Sequence, residues 1–292
     1  MMLEKIHGGV VMALLYYLDG EILEEEPKVS AQDRGYNFGD GVYEVIRSYR
    51  GKLFALEDHV ERLFRSASYI DLKLPYSPDE MSKLITDFYN KSGNPEAAVY
   101  LQITRGAAVR NHTYERGMKP VVFMYSKPLD DKPLSYYEGG FKAITVHDGR
   151  WDMCQAKTIC LLYNILAKQK AKDAGCDEAI FVRDNGEVTE CGSSNLFIIK
   201  DGILKTHPAD NRILSGITRK YVIEVARKNG VHFRNEIFYK EDLFTADEVF
   251  MTGTLSEISP FVEIDGKTVG NGKPGEITLK LLHSFYEMVR SV

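Results

Sequence analysis

Glu190-Cys191-Gly192-Ser193-Ser194-Asn195-Leu196-Phe197 sets a carboxylate before a run of small and hydroxyl residues, then opens an apolar strand. Two pieces follow it, Leu204-Lys205-Thr206 and Leu214-Ser215-Gly216-Ile217-Thr218-Arg219. In the second piece, Gly-Ile-Thr leads into an amphipathic segment from Tyr221 to Arg227. A glycine turn into a helix leaves the first backbone N–H groups without intrahelical partners, pointing past the helix end. An anion such as a phosphate fits there. Taken alone, the same residues also read as an ordinary helix entry capped by Thr218.

Outward from this stretch, helices and strands mix without strict β-α-β alternation, which predicts an α+β protein in two domains. Asp19-Gly20 reads as a tight hairpin turn between strands 14–18 and 21–23. Residues 30–41 read as a Gly/Asp-rich loop, followed by a strand over 42–49. Helical spacing of Val60, Leu63, Phe64, Ala67 and Ile70 predicts a helix over 57–72, and Met81, Leu84, Ile85 and Phe88 another over 78–92. Further helices are expected over 158–174, 218–229 and 276–289. Pro128 to Pro133 is polar and bracketed by prolines, which marks a boundary. The expected organisation is an N-terminal extension over 1–13, a small first domain over 14–130, a linker over 131–136 and a larger second domain over 137–292. Met12 is the expected start of the body.

The 292 residues carry a formal net charge of −5 without a long basic run, so neither a nucleic-acid nor a membrane partner is expected. No apolar run approaches membrane-spanning length. Cys154, Cys160, Cys176 and Cys191 show neither a C-x-x-C pair nor zinc-like spacing with histidine. They read as reduced thiols of a cytoplasmic protein, and no metal site is expected.

The spacing from Glu190 through Asn195-Leu196-Phe197 and Thr206 to Gly216-Ile217-Thr218-Arg219 resembles the signature of the class IV pyridoxal-phosphate aminotransferases. That family contains D-amino-acid and branched-chain aminotransferases and aminodeoxychorismate lyases. The resemblance runs from about Leu14 to the last helix. It implies the fold-type IV architecture, with a smaller N-terminal α/β domain and a larger C-terminal domain, and pyridoxal 5'-phosphate as cofactor. Lys157, in Arg150-Trp151-Asp152-Met153-Cys154-Gln155-Ala156-Lys157, is then the lysine that carries the cofactor as a Schiff base. Lysines are otherwise too many for the sequence to choose among, and Lys168 reads as structural. Glu190 becomes the partner of the pyridine nitrogen, with Ser193 as a neighbour of the cofactor. Arg62, the backbone N–H groups of Ile217 and Thr218, and the hydroxyl of Thr254 become the phosphate cup. Gly253 stands where close relatives have a serine, so one side-chain contact to the phosphate is expected to be missing.

Asp33 to Glu44 and Thr104 to His112 resemble the D-amino-acid members rather than the branched-chain ones. By that resemblance Tyr43, Arg110 and His112 hold the substrate carboxylate. An arginine with two neutral donors suits a carboxylate through charge-assisted hydrogen bonds. Seen singly, Arg110 and His112 read as solvated loop residues and Tyr43 as a half-buried strand residue. The implied activity is a ping-pong transfer of an amino group from a D-amino acid of the D-alanine type to a 2-oxo acid such as 2-oxoglutarate, by a homodimer. The alternatives are an L-branched-chain aminotransferase or an aminodeoxychorismate lyase, and more remotely a non-enzymatic binding protein on this fold. Intact Lys157, Glu190 and Arg62 argue against the last.

Overall fold

A computed structural model describes residues 14–291, together with the backbone of Ile6–His7 and Val10–Val11, which pair as a short antiparallel ladder. The rest of the expected extension, including Met12, lies outside the described residues. The chain divides into two compact units: residues up to Asp131 together with Ala156–Cys160, and Lys132–Gln155 together with Leu161–Ser291.

The first unit contains Leu15–Leu18 (β1), Glu21–Leu23 (β2), Arg34–Phe38 (α1), Gly41–Tyr49 (β3) and Lys52–Leu53 (β4). Leu56–Tyr69 (α2), Pro78–Ser92 (α3), Ala97–Thr104 (β5) and Val121–Pro128 (β6) complete it. Six strands among the described residues form one sheet in the order β2-β1-β6-β5-β3-β4, with antiparallel neighbours. Successive strand side chains point to opposite faces. Val42 and Ile46 therefore share a face, and with Val99, Leu101, Val122 and Met124 they form a core with the apolar stripes of α2 and α3. Ser77 caps α3 in a reciprocal box with Glu80, Pro78 opens it, and Gly93 closes it in the left-handed conformation. On another part of the sheet the rings of Tyr43, Tyr100 and Tyr125 stack in a row.

The free edge of β3 takes up a segment distant in sequence. Tyr43 N–H donates to Lys157 O over 3.0 Å, Ile159 N–H donates to Gly41 O over 3.1 Å, and Val42 bridges Thr158. Residues 158–160 are therefore not helical, and the helix expected from Thr158 begins only at Leu162. Pairing with β3 outweighs the local helical pattern there. A division at residues 131–136 assigns Ala156–Cys160 to the second domain, whereas their contacts tie them to the first unit. Inside the expected loop 30–41, Asp33 accepts a hydrogen bond from Gly35 N and caps the short α1.

The second unit contains Leu134–Glu138 (α4), which occupies part of the expected linker, then Phe141–His147 (β7), Leu162–Asp173 (α5), Glu178–Val182 (β8) and Val188–Cys191 (β9). Asn195–Lys200 (β10), Ile203–Thr206 (β11), Ile217–Lys228 (α6), His232–Asn235 (β12) and Lys240–Thr245 (α7) follow. Glu248–Gly253 (β13), Glu257–Ile264 (β14), Lys267–Thr268 (β15) and Glu276–Arg290 (α8) end the unit. Its sheet runs β9-β8-β7-β14-β13-β10-β11-β12, with β15 on β14. The apolar run Leu196-Phe197-Ile198-Ile199 is buried throughout, and Phe197 stacks on Phe250 at 5.0 Å. The α+β class and its two units agree with the fold-type IV expectation. No helix among the described residues is long and apolar enough to cross a membrane.

Candidate active site

Lys157 hangs from the segment that pairs with β3. Its backbone carbonyl accepts from Tyr43 N, and its N–H donates to Ser66 Oγ of α2 over 3.0 Å. Its Nζ lies 4.2 Å from the centroid of the Tyr43 ring, in reach of a cation–π attraction. Main-chain contacts on both sides thus fix where this half-buried amine starts. Lys168 lies elsewhere, on α5, where its ammonium pairs with Glu178 at 3.0 Å.

Arg62, which helical spacing puts on the polar side of α2, is buried. The cause is Glu44, a fully buried carboxylate on the helix-facing side of β3. Arg62 donates to it through Nε and Nη2, each over 2.7 Å, and His59 Nδ1 lies 2.8 Å from the same group. Burial pushes the Glu44 carboxyl up, but the charge and hydrogen bonds of Arg62 and His59 outweigh it and hold Glu44 far below the ordinary carboxylate range. Burial pushes His59 below its ordinary value. The trio is an ion pair, Glu44 with Arg62, with the His59 ring hydrogen-bonded beside it.

In the second unit Glu190, at the end of β9, is buried with both oxygens engaged. Arg150 Nη1 donates to Oε1 over 2.6 Å, while Asn195 Nδ2 and Leu214 N–H each donate to Oε2 over 3.0 Å. Arg150 is itself held by Asp148 and Thr189, and its guanidinium lies 4.1 Å from the centre of the Phe181 ring. Burial raises Glu190 above the ordinary carboxyl value even so, because Arg150 only partly offsets it. A cation placed against this carboxylate therefore meets an acceptor short of positive charge.

Asn195 links that carboxylate to the helix entry. Its Nδ2 also donates to Leu214 O over 2.8 Å, and its Oδ1 lies against the α-carbon of Gly216. A Cβ at Gly216 would overlap that oxygen, so only glycine allows the approach. Gly216 is the N-cap of α6, without a side-chain cap and without an acid in the first turn. The Ile217 and Thr218 N–H groups there lack intrahelical acceptors, and the positive end of the helix favours an anion. Thr254 is half-buried in the turn between β13 and β14. Thr252 Oγ1, on the strand position paired with Asn195, is buried and has no hydrogen-bond partner among the described residues. Ser193 is exposed, and its hydroxyl donates to Glu178 and accepts from Lys168. It lies in the bend between β9 and β10, which turns it toward β8.

Arg110 and His112 lie exposed in the loop after β5. Both pack on Phe38, with Arg110 Cζ 4.9 Å from the ring centre and the His112 ring 5.7 Å away. Among the described residues no hydrogen bond or ring contact joins either to Tyr43, which stacks on Tyr100 instead. Arg150, Asn195, Glu44 and His59 are contributions that sequence reasoning does not single out. Asn195 stands inside the quoted motif, where a polar residue opening an apolar strand is a signal that could have found it. The buried pairing of Glu44 and Arg62 has no local signal. The first unit thus offers a primary amine on a fixed backbone, and the second a buried carboxylate, an unpartnered threonine hydroxyl and an uncapped helix entry, the kinds of group that pyridoxal phosphate calls for.

The family model for amino-transferase class IV matches residues 41–264. The D-alanine aminotransferase of Bacillus licheniformis is 43% identical over 89% of this chain and 92% of its own length. The enzyme of that name from Listeria monocytogenes serotype 1/2a (strain 10403S) is 45% identical over 91% and 92%. Among solved structures, a T.th. branched-chain amino acid aminotransferase with pyridoxamine 5'-phosphate is similar at a TM-score of 0.90 and 28% identity. That similarity covers 95% of this chain and 94% of the other.

The raised Glu190 has a consequence for stability. A carboxyl whose folded value exceeds its unfolded one contributes stability that is full below the unfolded pKa and lost as pH rises through the folded value. In cofactor-free protein, the stability of wild type relative to Glu190→Gln should therefore fall as pH rises through 4.5 and above. Urea unfolding at a series of pH values measures it, and a difference that grows over that window contradicts the assignment.

Proposed function

Because the chain belongs to the class IV aminotransferase family, we propose that it transfers the amino group of a D-amino acid, D-alanine first, to a 2-oxo acid such as 2-oxoglutarate. Its cofactor is pyridoxal 5'-phosphate. The observation that carries the choice of substrate is the Arg110-x-His112 loop, in a chain 43% identical to a D-alanine aminotransferase.

When bound, the cofactor supplies an electron-poor ring that stabilises charge at the substrate α-carbon. Lys157 would be the residue that holds the cofactor, and its Nζ would take the proton from the substrate α-carbon. Tyr43, under that amine, keeps its chain from wandering. Glu190 would face the ring nitrogen and favour its protonated form. Arg150 and Asn195 fix the direction of that carboxylate. The N–H groups of Ile217 and Thr218, the guanidinium of Arg62 and the hydroxyl of Thr254 bind the phosphate. Glu44 keeps Arg62 in one rotamer, which spares ordering it at each binding event. Arg110, His112 and Tyr43 bind the substrate carboxylate. The free thiols of all four cysteines suit a reducing cytoplasm.

The protein acts as a homodimer in which Arg110 and His112 serve the neighbouring subunit. Their exposure, and their lack of contact with Tyr43 in their own chain, support this arrangement. A two-fold dimer completes both sites at once.

A panel of D- and L-amino acids with 2-oxoglutarate tests the activity. D-alanine should be turned over and L-leucine should not; the reverse preference would make the chain a branched-chain enzyme. Lys157→Ala should be inactive, and borohydride should fix the cofactor to Lys157 in wild type; label on Lys168 would overturn the assignment. Mixing Arg110→Ala subunits with Lys157→Ala subunits tests the dimer. In a heterodimer one site then lacks both groups and the other lacks neither, so activity should return. No recovery, with heterodimers confirmed by mass, would sink the cross-subunit arrangement.

A further inference from the structure

Arg34 is absorbed by none of the roles above, yet it is buried and makes most of its contacts with the loop that carries Arg110 and His112. From the first residue of α1 its Nη1 donates to Asn111 O over 2.6 Å and to Thr113 O over 3.3 Å. Its Nη2 donates to His112 O over 3.3 Å, and its Nε to Asp40 Oδ2 over 2.8 Å. One guanidinium thus grips three successive carbonyls while a half-buried carboxylate fixes its own orientation. Phe38, one turn further along α1, completes the support. Arg34 Cζ lies 4.8 Å and Arg110 Cζ 4.9 Å from its ring centre.

The end of the loop is tied to the same centre. Tyr114 donates to Asp71 Oδ2 over 2.9 Å, and Arg105 Cζ lies 3.8 Å from its ring centre. Arg105 shares Asp40 with Arg34 and donates to the carbonyls of Ile70 and Asp71. The loop is therefore anchored through its backbone, while the side chains of Arg110 and His112 stay exposed for binding. Only a planar fork of donors can serve several carbonyls and a carboxylate together, and a lysine ammonium does not reproduce it.

We propose that Arg34, with Phe38 as its platform, is the positioning residue of the substrate-carboxylate arm, holding Arg110 and His112 in their binding geometry before substrate arrives. This rests on the reading of Arg110 and His112 as the carboxylate trap. Misplacing a binding group by about 1 Å costs up to about a hundredfold. Arg34→Lys keeps the charge and loses the fork. It should raise the KM for D-alanine about tenfold to a hundredfold, raise the inhibition constant of propionate in proportion, and leave kcat and cofactor affinity within about twofold.

Phe38→Leu keeps the grip on the carbonyls and removes the platform, so it should raise KM in the same direction, and it stands in if Arg34→Lys does not fold. Adding Arg34→Lys to Arg110→Ala should change KM little further, because the group being positioned is gone. A KM that rises with Arg110→Ala but not with Arg34→Lys or Phe38→Leu overturns the proposal and leaves the trap standing. A KM unmoved by Arg110→Ala overturns both. An equal fall of kcat and cofactor affinity in Arg34→Lys would mean general damage and would also overturn it.

Discussion

A carboxylate taken out of water must find positive charge and donors nearby, and two of them organise this protein. Removing one partner of a buried ion pair typically costs about 3–5 kcal/mol, because it strands the other charge. In the first unit Glu44 meets that demand with Arg62 and His59 of α2, which fixes the helix to β3 by charge as well as by packing. In the second, Glu190 is met by Arg150, Asn195 and the Leu214 N–H. The two differ in outcome. Glu44 is held as a carboxylate well below its ordinary range, whereas burial keeps Glu190 above it.

Precision at the amine comes from backbone rather than from side chains. Lys157 occupies a short extended piece whose hydrogen bonds to Gly41 and Tyr43 make it an edge of the first unit's sheet. The same strand carries Glu44, whose neighbours include Arg62. One strand thus sets the position of the amine and of the buried Arg62. Asn195 plays the matching part in the second unit, since one side chain touches the buried carboxylate, the Leu214 carbonyl and the glycine that opens α6.

What can be read from the sequence follows the range of each signal. The α2 and α3 helices, the hairpin turns and the Gly216-Ile217-Thr218 entry rest on neighbours a few residues apart, and they are where the pattern puts them. The start of α5 and the short α1 escape it, because pairing with β3 and a single aspartate cap decide them. The residue roles come from resemblance rather than spacing. Composition cannot show that Arg62 is buried, since its partner Glu44 lies on another element. Ser193 and Asn195 stand two apart in one motif, and the bend between β9 and β10 turns the first to Glu178 and the second to Glu190. The clamp of Arg34 on the Arg110 loop spans more than seventy residues and leaves no trace in local pattern.

The proposed activity turns on abstraction of the α-proton of a D-amino acid. It can be watched without any acceptor, by incubating cofactor-loaded protein with alanine in deuterated water and following the α-proton signal by NMR. The account predicts exchange at the α-carbon of D-alanine, abolished in Lys157→Ala, with L-alanine left intact. Exchange confined to L-alanine, or none with either isomer in protein shown to hold its cofactor, would contradict it.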